Sequence, residues 1–378
     1  MEEIKKLKIL ILTAHTGGGH KSIAEGLKDL LEPEFAISIV DPLPKVINTH
    51  YAFMGRHAPW MWATEYHATN NKAGSVLLHE ASYQIGRKKL LTILQEHHPD
   101  AIISTHHFLT LEILRTLKKL QKKIPFIIIF TDPMRVHQMW LVEKDIDCVL
   151  APTKETYQQA IEEGFSLNKI IAGGWPIKKV FYEQNKTTES EQIQQKIELL
   201  REMKLDPDTF TIFLQGGGDG ATHIAKTAKA IHSRCPETQI ILAAGKNTEL
   251  QEMFTDIPRI YPLPFTDEIA KYMKVSDIVM GKAGPNSLFE AITLEKPFVI
   301  TSFMPGQEKP NIELVEQAKI GWSTLTTKEQ VNLVNMLVRH PELISSYKEN
   351  IMRYRDANMQ GLQHMATAIK KVATEGKQ

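Results

Sequence analysis

The chain has 378 residues, about two and a half domains' worth at a typical ~150 residues each, so two domains are expected. Lys plus Arg is 45 and Asp plus Glu is 44, a formal charge of +1, which excludes a protein-wide basic field for wrapping nucleic acid. Two cysteines, Cys148 and Cys235, exclude a disulfide scaffold and a Cys-rich zinc module and suit a reducing cytosol.

No apolar run approaches the ~18 residues that span a bilayer. The charged start, Met1 to Lys8, leads into only four apolar residues, Ile9 to Leu12, and then a Gly-rich turn. That reads as a first buried strand rather than a signal peptide. Short apolar runs then alternate with helical patterns, the signature of parallel sheets with crossover helices. Strands are expected near 9–13, 36–40, 101–104, 126–130, 148–151 and 170–172. A second set is expected near 211–214, 240–243, 260–262, 278–280, 298–300 and 321–323. Between the sets, Glu183 to Ser190 is polar and an amphipathic helix follows. The expected division is an N-terminal domain over 1–177, a linker over 178–205, a C-terminal domain over 206–350 and a helix over 351–378. That last helix is expected to pack back on the N-terminal domain.

The segment 41–99 is longer than one crossover needs. It holds Tyr51, Phe53, Trp60, Trp62 and Tyr66, with Lys45, Arg56 and His57 nearby. Aromatics among cations suit a membrane interface or a lipid acceptor site. The alternative is a helical insertion whose aromatics form its own core.

Four loops fall at strand ends. The first, Thr13 to Ser22, contains Gly17-Gly18-Gly19-His20. Glycines there leave backbone N–H groups free beside a helix start, which attracts anions. It is not a P-loop, because His20 stands where that motif needs glycine before the lysine. His20 can serve as a general base near neutrality, or it can merely close the turn. The second, Gln215 to Ala221, fits G-x-G-x-x-A at Gly216, Gly218 and Ala221. The next strand ends Ala244-Gly245-Lys246 without a carboxylate, which disfavours a nicotinamide dinucleotide. A loop cradling the pyrophosphate of a nucleotide sugar keeps the same physics without that acid.

The third runs from Gly281 to Ala291 and puts Glu290 about one turn into a helix. A carboxylate there can accept from both ribose hydroxyls, or simply favour the helix dipole. The fourth, Met304 to Asn311, offers Gln307 and Glu308 on a Pro/Gly turn. Asp145-Ile146-Asp147 spells a possible metal motif, but just before a strand, at the wrong end of a parallel sheet. His79-Glu80-Ala81-Ser82-Tyr83 misses the zincin pattern at Tyr83.

These four loops, in this order, resemble those of the monogalactosyldiacylglycerol synthase and processive diacylglycerol glucosyltransferase family, glycosyltransferase family 28. Further marks are Pro99 to Thr105, Thr131-Asp132 with His137 and Trp140, Pro264 to Asp267, Lys282 to Pro285 and Pro305 to Lys309. The resemblance implies an α/β protein of the GT-B fold, with two Rossmann-like domains facing each other across a cleft. It implies an inverting transfer of galactose or glucose from UDP-galactose or UDP-glucose to diacylglycerol, with no metal or other cofactor. His20 would be the acceptor base, with Asp132 as the second candidate. The donor would meet Gly216, Gly217, Gly218, Gly245, Phe265, Gly284, Pro285, Asn286, Glu290, Gln307 and Glu308. The acceptor would meet Gly18, Gly19, Trp60, Trp62, His106 and His137. The expected setting is cytoplasmic, peripheral on an anionic membrane surface, with no nucleic-acid partner. The alternatives are the lipid-linked N-acetylglucosamine transferase of peptidoglycan synthesis, a UDP-GlcNAc 2-epimerase, and a UDP-sugar sensor that transfers nothing.

Overall fold

The computed structural model describes residues 6–14, 18–44, 47, 49, 54, 59–216 and 221–375. They form two compact units. The first comprises Met1–Lys178, Pro305–Gln307 and Ala357–Gln378, and the second Lys179–Met304 and Glu308–Asp356.

In the first unit the order is β1 (Lys8–Leu12), α1 (Gly19–Leu31), β2 (Ala36–Val40), α2 (Pro59–Thr69), α3 (Lys72–His97) and β3 (Ala101–Ser104). Then come α4 (Thr110–Leu120), β4 (Phe126–Ile129), β5 (Cys148–Ala151), α5 (Lys154–Glu162) and β6 (Ile170–Ala172). The second unit begins with α6 (Lys179–Glu183), α7 (Glu189–Glu202), β7 (Phe210–Gln215), α8 (Ala221–Arg234) and β8 (Thr238–Gly245). It continues through α9 (Thr248–Phe254), β9 (Ile260–Pro264), α10 (Ile269–Val275), β10 (Ile278–Lys282) and α11 (Pro285–Thr293). The last elements are β11 (Phe298–Ser302), α12 (Lys309–Gln317), β12 (Gly321–Ser323), α13 (Thr327–Arg339) and the long α14 (Glu342–Glu375).

Each unit holds one six-stranded, wholly parallel sheet, ordered β2-β1-β3-β4-β5-β6 and β12-β11-β10-β7-β8-β9. Both are doubly wound, the plan of a GT-B-like protein with two Rossmann-like domains. The cause lies in the strands. Ile9 to Leu12, Phe126 to Ile129 and Ile278 to Met280 are buried on both faces, as parallel strands under helices must be. Helices supply matching stripes: Ile23, Ala24, Leu27 and Leu31 of α1 are all buried. Each fully buried Ile or Leu contributes about 1.5–3 kcal/mol.

The winding direction reverses between β1 and β3 in the first sheet and between β7 and β10 in the second. Ligands of such sheets bind outside the carboxyl ends of the strands at these reversals. The loops that carry the glycines and His20 follow β1, β7 and β10, so the topology puts them at both reversals. The Asp145-Ile146-Asp147 motif lies at the opposite edge. There the Asp147 carboxylate accepts from Phe126 N (2.8 Å) and ties down the start of β4.

The second half of α14 docks within the first unit. Asn358 Oδ1 accepts from Trp175 N (2.6 Å) and Asn358 Nδ2 donates to Trp175 O (3.2 Å). Gly361 makes this approach possible, since a Cβ there would stand 2.1 Å from Gly173 O.

Candidate active site

At the first reversal, β1 ends in Thr13 and Ala14. His15, Thr16 and Gly17 lie outside the described residues. Gly18 caps α1, Gly19 opens it, and His20 follows in its first turn. Backbone and side chains stitch the two strand ends together. Thr105 N donates to Leu12 O (3.0 Å), and Thr105 Oγ1 donates to Thr13 Oγ1 (2.9 Å).

His20 Nδ1 lies 2.8 Å from Thr105 O. A carbonyl can only accept, so Nδ1 carries the proton and Nε2 keeps its lone pair. Burial pushes the ring down to about 4, against the weaker upward pull of the Thr105 bond. His20 is therefore neutral at pH 7, in the tautomer a base needs.

A chain of rings leads inward from it. His20 and His106 have centroids 4.5 Å apart, His106 and His107 stack at 4.4 Å, and His107 and His137 stack at 5.6 Å. His106 Nδ1 accepts from Phe108 N (3.2 Å), and His137 Nδ1 accepts from Met139 N (3.2 Å). The Thr69 hydroxyl donates to Glu65 O (2.8 Å) and so can accept from His137 Nε2, 3.3 Å away. Burial lowers His106 and His107 well below the usual histidine range and His137 to about 4. Among the described residues no three His, Cys, Asp or Glu side chains converge on a metal-sized site.

Asp132, 8% exposed, accepts from Gln307 Nε2 (3.0 Å), and Pro305–Gln307 group with this first unit. The structure separates the two tryptophans. Trp60 is 70% exposed, whereas Trp62, two residues on, is buried at 9%. Two residues are about 200° around a helix, so the pair cannot share one face. Tyr51, Phe53, Lys45, Arg56 and His57 lie outside the described residues.

At the second reversal, Gly216 follows β7, while Gly217 and Gly218 lie outside the described residues. Gly245 ends β8 with φ +57°, and its carbonyl accepts from Phe265 N (3.0 Å) and Gln251 Nε2 (2.6 Å). Phe265 stands 60% exposed, a flat platform with Lys246 Nζ 4.8 Å from its ring centre. Gly284 caps α11 and Pro285 begins it, where a missing N–H costs nothing. Asn286 and Glu290 follow on α11. Glu308 caps α12, and its carboxylate is held twice: Oε1 meets Lys282 Nζ (2.8 Å) and Oε2 accepts from Met304 N (2.7 Å). Sequence reasoning gave Lys282 and Thr105 no role, whereas His106-His107, following the third strand, could be expected to line a cleft. The signal for Lys282 was a cation at a strand end, and its partner is 26 positions away.

Two family models match this chain in sequence. The monogalactosyldiacylglycerol (MGDG) synthase model covers residues 34–177, and the glycosyltransferase family 28 C-terminal domain covers 211–352. The chain belongs to the monogalactosyldiacylglycerol synthase family of glycosyltransferase family 28. Among relatives of this family-28 enzyme is monogalactosyldiacylglycerol synthase 2 (chloroplastic) of Arabidopsis thaliana, 28% identical over 86% of this chain and 72% of the relative. Synthase 3 of the same plant is 29% identical over 91% and 77%. Among solved structures, a UDP-glucosyltransferase from Polygonum tinctorium covers 99% of both chains at 13% identity, TM-score 0.66. A UDP-GlcNAc 2-epimerase from Neisseria meningitidis covers 96% of this chain and 100% of its own at 14%, TM-score 0.59. These two likenesses show the fold alone. Transferases and an epimerase share it, so it is the sequence family, not the fold, that makes this chain a glycosyltransferase.

Proposed function

We propose that the chain transfers galactose or glucose from the corresponding UDP-sugar to diacylglycerol at a membrane surface, inverting the anomeric centre. The observation that carries the reading is His20: neutral, fixed by Thr105 and with Nε2 unprotonated at the first sheet's reversal. In one displacement His20 Nε2 takes the proton of the acceptor hydroxyl as that oxygen attacks the sugar C1. The C1–O bond to UDP breaks and its electron pair leaves with the phosphate oxygen. Asp132 is the second candidate for the base, and its bond to Gln307 favours His20 for that task.

On the donor side Phe265 would face the uracil, Glu290 the ribose, Gly216 to Gly218, Gly245 and the Gly284–Pro285 helix start the diphosphate, and Asn286, Gln307 and Glu308 the hexose. On the acceptor side Gly18, Gly19, His106 and His137 would line the approach of the lipid; of the two tryptophans the exposed Trp60 would meet it, while Trp62 packs inside. Surface chemistry supports a peripheral, cytoplasmic-face membrane contact. No helix among the described residues is long and apolar enough to cross a membrane. Trp60, Leu77 and Ile85 are exposed at 70%, 73% and 56%. On α3 and α4 of the same unit, a cavity is lined by Tyr83, Arg87, Lys88, Leu91, Thr116 and Lys119. Exposed apolar anchors and cations on one unit suit an anionic lipid surface.

His20→Ala is expected to lower turnover by about 10²–10⁴-fold, the usual worth of a general base, with UDP affinity retained. Because His20 sits near 4, the wild-type rate should stay level from pH 7.5 down to pH 5.5 rather than halve near 6.5. Near-full turnover of His20→Ala with a lipid acceptor would remove His20 from the role.

A further inference from the structure

Lys282 ends β10 at the reversal of the second sheet, beside the end of β7. Three observations meet at its ammonium. First, it is held at 2.8 Å by Glu308 Oε1, while Met304 N fixes the other carboxylate oxygen. The ion pair is partly buried, the side chains being 34% and 10% exposed. Second, the pair lies over the start of α11. A Cβ on Gly284, the residue that caps this helix, would stand 3.9 Å from Glu308 Oε1 and 4.0 Å from Lys282 Cε. Third, Gln215, the last residue of β7, lies against Gly281, the neighbour of Lys282. A Cβ on Gly281 would stand 3.0 Å from Gln215 Cγ. Gln215 is 9% exposed, and among the described residues its amide nitrogen has no hydrogen-bond partner.

The reversal thus carries a cation over a helix N-terminus, paired there with an anionic oxygen, and next to its strand a buried amide donor without an acceptor among the described residues. A carboxylate drawn to that spot marks it as an anion site. A lysine ammonium has three protons to donate, so one bond to Glu308 leaves two.

We propose that Lys282 binds the diphosphate of the nucleotide donor, with Glu308 as the residue that positions it. This rests on the UDP-sugar reading above. The chemistry gives the ammonium a second task. When the C1–O bond breaks, its electron pair passes to the β-phosphate oxygen and UDP leaves with one more negative charge. A fixed cation beside that oxygen stabilises the transition state more than the bound donor. Glu308, tied to the same ammonium, is kept beside the hexose rather than pushed away by the phosphate charge.

The test compares UDP with uridine by titration calorimetry on the full-length protein. Lys282→Met should weaken UDP by about ten- to hundredfold, the usual effect of losing a charge-assisted hydrogen bond, while uridine affinity stays within about twofold. Lys282→Arg should keep UDP affinity within a few-fold and guards against a folding defect in the methionine variant. The salt dependence of UDP binding should flatten in Lys282→Met. Equal losses for UDP and uridine, or no loss for UDP, would overturn the Lys282 assignment while leaving the donor reading intact. A wild-type protein that binds neither ligand would overturn the donor reading itself, and the Lys282 assignment with it.

Discussion

At the scale of single residues, the first unit sets buried titratable groups against each other across the pH range. Glu112, on α4, is 2% exposed, and among the described residues neither carboxylate oxygen finds a hydrogen-bond partner. Burial pushes its carboxyl up to about 8. In the unfolded chain it titrates near 4.5, so between about 4.5 and 8 the folded state holds a proton that the unfolded state has released. Stability therefore falls as pH rises through that window, by up to about 1.4 kcal/mol per pH unit. The histidines work the other way. His20, His106, His107 and His137 are all lowered by burial, so the unfolded chain binds more protons as pH falls from about 6.5 toward 4. Stability is lost on that side too. Glu112→Gln is expected to gain on wild type as pH rises, with a larger advantage in urea-denaturation free energy at pH 8 than at pH 5.5. An equal difference at both values would mean that Glu112 is already ionised in the fold.

At the scale of elements, the twelve parallel strands found among the described residues were legible because each is an unbroken apolar run between turn residues. The helix α2 was not legible in its orientation. Trp60, Trp62 and Tyr66 spread aromatics around the helix, so no stripe in the sequence marks which of them faces inward. The loops were legible as strand-to-helix turns at the sheet reversals, because each glycine run directly follows an apolar strand. The Lys282–Glu308 pair and the stack from His20 to His137 were not, since each brings together residues far apart in the chain. The docking of α14 illustrates the same limit. Its key residue, Gly361, looks like an ordinary helix-weakening glycine until Gly173 is placed against it. Gly361→Ala would force a Cβ into backbone that has no flexible end to yield. Overpacking of this kind costs about 1–3 kcal/mol, and it should appear as a lowered melting temperature. A melting temperature equal to wild type would mean that α14 can shift without loss.

At the scale of the whole molecule, two doubly wound units repeat one plan, and each uses its own reversal differently. The first assembles neutral histidines, fit to accept a proton. The second sets the Lys282–Glu308 pair over a helix start and leaves Phe265 exposed after β9, the residues proposed above to meet the nucleotide donor. The near-zero net charge leaves the proposed membrane attraction to local surfaces, for which the first unit offers the exposed apolar side chains Trp60, Leu77 and Ile85. The central claim is inverting hexosyl transfer to diacylglycerol. It is tested most directly by incubating the protein with labelled UDP-galactose or UDP-glucose and anionic vesicles containing diacylglycerol, then separating the lipids and reading the anomeric coupling of the product by NMR. The account predicts a labelled hexosyl-diacylglycerol with the β configuration, formed from an α-linked donor. An α-linked product would contradict the single displacement, and no labelled lipid from either donor would contradict the transfer itself.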